Sequence, residues 1–293
     1  MVDERENVLR ELERDGRLYE PDRLRDRIEA LDWLDAHFPD GELAGVAAAG
    51  LETEIRRRAR AITHRLEAAN CALYQAIRGE IQRGAGRDAL LRFAVGQGLG
   101  SGSAGLRKPE GYDYLDDLLG GVLNLIEPAS GGVALEAEMV AYQPTPARRL
   151  FDWLGRGTLQ HRDVVMDIGS GLGHVTLLTA ICTRARCVGI EVNAGYVDCA
   201  RRSAELLNLS NAAFIRQDVR EADLSLGTVF YLYTPFVGGM LRAVLDLLRR
   251  EAARREIRLC SFGPCTPVVA GEQWLQAAGG MEADRIAEFC SRN

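Results

Sequence analysis

Asp167 and the alternating glycines Gly169, Gly171 and Gly173 stand where an apolar run, Val164 to Ile168, gives way to a helix-like one from Leu172 to Thr183. A buried strand that turns through glycines into a helix brings backbone N–H groups and the positive end of the helix dipole close to a ligand. The loop reads D-x-G-x-G-x-G, with His174 where a dinucleotide fingerprint wants a third small residue. A carboxylate at the strand end repels a pyrophosphate and suits a ligand that carries positive charge. S-adenosylmethionine, with its sulfonium and α-amino groups, is such a ligand.

Two more acids follow at strand ends. Cys187-Val188-Gly189-Ile190 reads as a second buried strand closing on Glu191, twenty positions past Gly171. That is the distance at which an acceptor-only carboxylate meets both hydroxyls of a ribose. Ala194 to Leu207 has helical spacing, and a third strand, Ala212 to Arg216, precedes Gln217-Asp218, where an acid can accept from the amine of adenine. Thr228 to Tyr233 is the fourth strand, ending at Thr234-Pro235-Phe236.

With an activated methyl on the donor, the protein has chiefly to align a nucleophile and exclude water. An amine must first lose a proton from an ordinary value of about 10.4 for lysine, which a desolvating aromatic pocket or a nearby carboxylate favours. Glu136, Glu138 and Tyr233 are the candidates for that work; the carboxylates read equally as exposed turn residues, and the tyrosine as a shield for the donor. His174 lies beside the glycine loop but reads first as a packed side chain, while His37, His64 and His161 carry no chemical context.

From Tyr142 to about Pro267 the chain resembles the class I S-adenosylmethionine-dependent methyltransferases. Within them it is most similar to the archaeal protein-lysine and seven-strand histone-lysine enzymes. The resemblance rests on Tyr142-Gln143-Pro144-Thr145-Pro146, on Asp167 to Gly173, on Gly189-Ile190-Glu191, on Gln217-Asp218 and on Tyr231 to Thr234. It implies that Tyr142 and Thr145 cover the cofactor. Asp167, Gly169, Ser170, Gly171 and Gly173 then hold its methionine end, Glu191 its ribose and Asp218 its adenine. The chain departs from amino-group methyltransferases where they carry an Asn/Asp-Pro-Pro-aromatic turn, having Tyr233-Thr234-Pro235-Phe236 instead. The acceptor therefore stays open between an amine on a small metabolite and a protein lysine. A cofactor-binding scaffold or sensor without transfer activity is the reading of another class.

The expected architecture is α/β, a doubly wound Rossmann-like sheet in residues 131–293, preceded by a helical domain in residues 1–130 with a glycine-rich joint at 96–105. Leu24, Ile28, Leu31 and Leu34 form one helical stripe. Ile55, Ala59, Ile62, Leu66, Ala69, Leu73 and Ile77 alternate four and three apart on a helix expected over about 45–83. That seam reads as a dimerising arm or as a stripe buried within the chain, with the arginines around it solvated. Tyr112 to Leu125 is a further amphipathic helix, expected above the carboxyl edge of the sheet. Ile257 to Phe262 is the fifth strand, and Arg285 to Cys290 part of a closing hairpin.

A net charge of −6, with Lys108 the lone lysine, argues against a general nucleic-acid binder. The charged amino terminus resembles no export signal, and no apolar run spans a bilayer, so a cytoplasmic protein without membrane partners is expected. Seven cysteines, an odd count, suit a reducing compartment. Cys182, Cys187, Cys260 and Cys265 allow zinc by type but fall on separate elements, so small buried hydrophobes are the simpler reading and no metal is expected.

Overall fold

The computed structural model describes residues 2–39, 50–95, 111–128, 137–282 and 284–292. The glycine-rich joint at 96–105, Glu136 and the first residues of the helix expected from 45 lie outside the described residues.

β-Branched and apolar residues build a seven-stranded sheet: β1 (Val164–Ile168), β2 (Arg186–Glu191), β3 (Ala212–Arg216), β4 (Val229–Tyr233), β5 (Arg258–Phe262), β6 (Leu275–Ala277) and β7 (Ala287–Ser291). The spatial order is β3-β2-β1-β4-β5-β7-β6. β1 to β5 run parallel and β7 is antiparallel to both β5 and β6. The strand order reverses beside β1, the topological switch point at which ligands bind in open α/β sheets. This is the doubly wound Rossmann-like sheet expected from the motifs, with the carboxy-terminal hairpin supplying β6 and β7.

Ten helices are described: α1 (Val2–Arg14), α2 (Leu24–His37), α3 (Gly50–Gln82), α4 (Gly86–Val95), α5 (Tyr114–Leu123), α6 (Ala147–Gly155), α7 (His174–Cys182), α8 (Ala194–Leu206), α9 (Gly238–Ala252) and α10 (Thr266–Ala270). Strand alternation divides the core in two. Val165, Cys187, Val229 and Tyr231 face α5, α6, α7 and α8. Met166, Ile168, Val188, Phe230 and Leu232 face α9 and α10. A smaller cluster joins Leu9, Leu18, Leu34, Ile55, Ile62 and Leu66 beneath α1, α2 and the first half of α3.

The helical half is bonded to the sheet half rather than strung beside it. Leu73, Ile77, Leu90, Leu115 and Leu118 belong to the same cluster as Val165, Leu177 and Leu178, so the core is continuous across residue 130. The seam of α3 is spent inside the chain: Ile55, Ile62, Leu66 and Ile77 are at most 2 % exposed. α5 starts with a capping box at Asp113 and Asp116 and stops at Asn124, whose φ of 55° is left-handed. It lies against α3, α6 and α7 on one face of the sheet, not over the carboxyl edge; only the chain beyond it reaches that edge.

One consequence is thermal. Heating should give a single cooperative transition, and Leu118→Ala, which empties a fully buried position between the halves, should lower stability by about 2–5 kcal/mol. Two separate calorimetric peaks, with only one moved by the substitution, would contradict the shared core.

Among the described residues no helix is long and apolar enough to cross a membrane. Cys182, Cys187, Cys260 and Cys265 are buried free thiols. Burial raises all four above the ordinary thiol value, which keeps them protonated.

Candidate active site

A cavity of about 420 Å³ opens at the carboxyl ends of β1 to β4. Tyr142, Gly169, Glu191, Asp218 and Tyr233 line it, as do Glu127, Tyr196, Phe236 and Pro264. Thr145, Ser170, Gly171 and Gly173 do not, and Asp167 and Glu138 also point elsewhere.

The glycine loop is set by three left-handed residues, Gly169, Gly171 and Gly173, with φ of 73°, 53° and 88°. A side chain is excluded at each by a neighbour as well as by the backbone. A Cβ on Gly171 meets the Tyr142 ring at 2.0 Å, and one on Gly173 meets Phe214 at 2.7 Å. The loop is then tied to β2: Gly169 and Ser170 donate to the Ile190 carbonyl at 2.9 and 3.1 Å. Gly171 N–H donates to Glu191 Oε2 at 3.0 Å, and Asn193 N–H to Glu191 Oε1 at 2.8 Å. Each oxygen keeps a free lone pair, so this carboxylate can take a diol while it braces the loop. Ser170 Oγ is buried without a hydrogen-bond partner. Gly169 and the acceptor-only carboxylate of Glu191, both in the cavity wall, fit the ribose and amino-acid parts of a nucleoside donor such as S-adenosylmethionine.

Asp167 sits under the loop. Thr176 Oγ1 donates to its Oδ2 at 2.9 Å, and burial, aided by the charge of Glu191, pushes its pKa up to about 7. The strand-end acid is therefore about half protonated at neutral pH and acts on the cavity from beneath. Asp218 lines the far end; Arg220 bonds both its oxygens and holds its pKa below the usual value.

Tyr142 closes the near side. Its ring lies on Gly171 and packs at 5.1 Å against Tyr196. Its hydroxyl is 2.8 Å from His174 Nδ1. Burial lowers the histidine to about 4 and raises the phenol well above its ordinary value, so the bond joins a neutral phenol to a neutral imidazole. His174 is thus a fastener for the tyrosine, the packed role anticipated from its position. Thr145 does a similar job deeper down, its hydroxyl 2.8 Å from that of the buried Tyr231.

At the end of β4 Tyr233 packs on Phe262 at 5.1 Å and its hydroxyl donates to Gln143 Oε1 at 3.4 Å. Thr234 has a φ of 39°, rare for a side chain branched at Cβ. Its hydroxyl holds the turn by donating to the Phe262 carbonyl at 3.1 Å and accepting from Cys265 N–H at 3.0 Å. Glu138 takes backbone N–H groups from Gly239 and Met240, at 3.0 and 2.6 Å, at the start of α9. These bonds keep it ionised and direct it away from the cavity, into helix capping. The same stretch pairs with the turn after β4: Met139 bridges Phe236, and Val140 N–H donates to the Pro235 carbonyl at 3.1 Å.

Glu127, Tyr196 and Pro264 line the cavity without having drawn notice in the sequence. Asn193, which caps α8 through Gly195 and Tyr196 N–H, was legible as an N-cap two positions after the strand-two acid. Glu127 had no such signal, because only the path of the chain after α5 brings it there.

The model of the family described as histone methylation protein DOT1 matches residues 141–222. That match takes in the Tyr142 loop, the glycine loop, Glu191 and Asp218, and stops before β4. No curated protein matches the chain. Among solved structures it is similar to an RNA methyltransferase from Salinibacter ruber in complex with S-adenosyl-L-homocysteine, with 23% identity and a TM-score of 0.40, covering 51% of this chain and 92% of that one. It is also similar to magnesium protoporphyrin IX methyltransferase from Synechocystis with bound S-adenosylmethionine, at 18% identity and a TM-score of 0.37, covering 48% of this chain and 76% of that one. A third is precorrin-6y C5,15-methyltransferase from Geobacter metallireducens, at 18% identity and a TM-score of 0.40, covering 55% of this chain and 98% of that one.

Proposed function

We propose that this chain is a methyltransferase that uses S-adenosylmethionine and methylates an amine carried by a small metabolite. The observation that carries the reading is the charge of the cavity. Its described lining has three carboxylates, Glu127, Glu191 and Asp218, three tyrosines, and no lysine, arginine or histidine. Such a wall favours a cationic donor and disfavours acceptors that bring phosphate or carboxylate with them.

S-adenosylmethionine, when bound, supplies a methyl already activated on a sulfonium. Glu191 accepts from the ribose hydroxyls while bracing Gly171 and Asn193, and Asp218 serves the adenine end. Tyr142, pressed on Gly171, excludes water from the near side. Tyr233, Phe236 and Pro264 desolvate the incoming amine, which lowers its pKa and exposes its lone pair. Gln143 and the Tyr233 hydroxyl are the polar groups on that side able to orient an N–H. No covalent intermediate with the enzyme is needed, so positioning is the main source of rate.

The DOT1 match favours a protein lysine as the alternative acceptor. Support for the metabolite comes from the flanking of the cavity by the chain after α5 and by the loop before α6, which frame a pocket rather than an open sheet edge. Calorimetry with S-adenosylhomocysteine should show binding that falls at least tenfold in Glu191→Ala. Incubation with methyl-labelled donor and separated metabolite and protein fractions then decides the acceptor. Label confined to macromolecules would reject the metabolite, and binding without any transfer would favour a scaffold.

A further inference from the structure

The chain that leaves α5 lies as a strap along one face of α8. Ser203 Oγ donates to the Leu123 carbonyl at 2.6 Å, and Cys199 Sγ to the Ile126 carbonyl at 3.4 Å. Tyr196 hydroxyl donates to Glu127 Oε1 at 2.9 Å, and Pro128 is seated where a Cβ on Gly195 would meet it at 3.1 Å. Positions 195–196, 199 and 203 fall on one helical face, so α8 presents a row of small and hydrogen-bonding residues that fixes the strap over four contacts. Where the strap ends, Glu127 and Tyr196 both enter the cavity lining, beside Tyr142 and Glu191.

We propose that Glu127 is a donor-site residue delivered by the helical half of the chain, its carboxylate facing the positive charge of the donor's amino-acid part, with Tyr196 as its positioning residue. The proposal rests on the donor assigned above. It accounts for the presence of two carboxylates, Glu127 and Glu191, in the wall of one cavity where a neutral nucleoside would need only one. It also gives the helical half a task at the site, since the strap is held by α8 but belongs to the chain leaving α5. Tyr196 serves twice, holding Glu127 by its hydroxyl and Tyr142 by its ring.

The test compares two ligands in calorimetry with the full chain. S-adenosylhomocysteine carries the charged amino-acid part, and 5′-methylthioadenosine shares the nucleoside but lacks that part. Glu127→Gln keeps an oxygen for Tyr196 and removes the charge. It should weaken S-adenosylhomocysteine about five- to tenfold, leave methylthioadenosine within twofold, and leave the melting temperature unchanged. Tyr196→Phe should weaken S-adenosylhomocysteine in the same selective sense, by a smaller factor. An equal loss for both ligands in Glu127→Gln, or none for either, overturns the proposal. Wild-type protein that binds neither ligand overturns the donor assignment itself, which keeps the two failures distinct.

Discussion

Replacing Asp167 by asparagine is expected to stabilise the ligand-free protein by up to about 4 kcal/mol at pH 8, while changing little at pH 4. The reason is the cost of a charge beneath the glycine loop. Burial raises the folded-state pKa from 3.8 to about 7, so the folded chain holds a proton that the unfolded chain releases throughout that interval. Stability from this group is full below pH 4, declines as pH climbs to about 7, and stays at its low value beyond. Asparagine is neutral at every pH, and its carbonyl oxygen can still accept from Thr176 Oγ1. Denaturant melts of both proteins across pH 4 to 8 isolate the contribution of Asp167 with its coupling to Glu191, because groups that do not interact with it cancel in the difference. A constant gap between the two curves would show that Asp167 does not titrate in this range. The gain should come with weaker donor binding, since a cationic ligand above the loop favours the ionised acid. In wild type that preference should also appear as a proton released on binding at pH 6, and Asp167→Asn should release none.

Gly171→Ala should be the more damaging change for ligand binding. Its φ of 53° costs a side chain roughly 1–2 kcal/mol, and the new Cβ falls 2.0 Å from a Tyr142 ring carbon. The ring has to leave, giving up its bond to His174 and its packing on Tyr196, so affinity for S-adenosylhomocysteine should fall at least tenfold. Gly157→Ala is the matched control. That glycine has a φ of 68° and open space around it, at the other end of β1, so only the backbone cost applies. It should lower the melting temperature and leave affinity within twofold. Equal affinity loss in the two variants would mean that the tyrosine contact is not what the glycine protects.

The glycine-loop side of the cavity could be read in the sequence because its parts are local. A strand, its terminal acid and the glycines after it are consecutive, and β2 follows at a distance fixed by one helix. Glu191 could therefore be placed from spacing, and it stands where Gly171 and Asn193 bond it. The succession of β1 to β5 along the chain followed from the same alternation of strand and helix, whereas their spatial order comes from the folded sheet. Residues whose role depends on distant partners were less legible. Glu138 has the residue type for proton transfer, but its contacts with Gly239 and Met240, a hundred positions away, direct it to the start of α9. Asp167 and Thr145 stand close to the cavity yet face into the core, which strand alternation fixes only once the burying helices are known. Glu127 needed the path of a strap along α8, and nothing in residues 123–128 alone specifies it.

The bridge between Met139 and Phe236, flanked by the bonds from Val140 to Pro235 and from Val237 to Glu138, has a mechanical corollary. Peptide links of this kind make one stiff frame of the segment leading into Tyr142 and the turn that carries Tyr233. The separation of these two segments is then set by main chain, whatever rotamers Tyr142 and Tyr233 adopt. Substitutions at 233 and 236 should therefore reshape the cavity wall without displacing the frame that carries it.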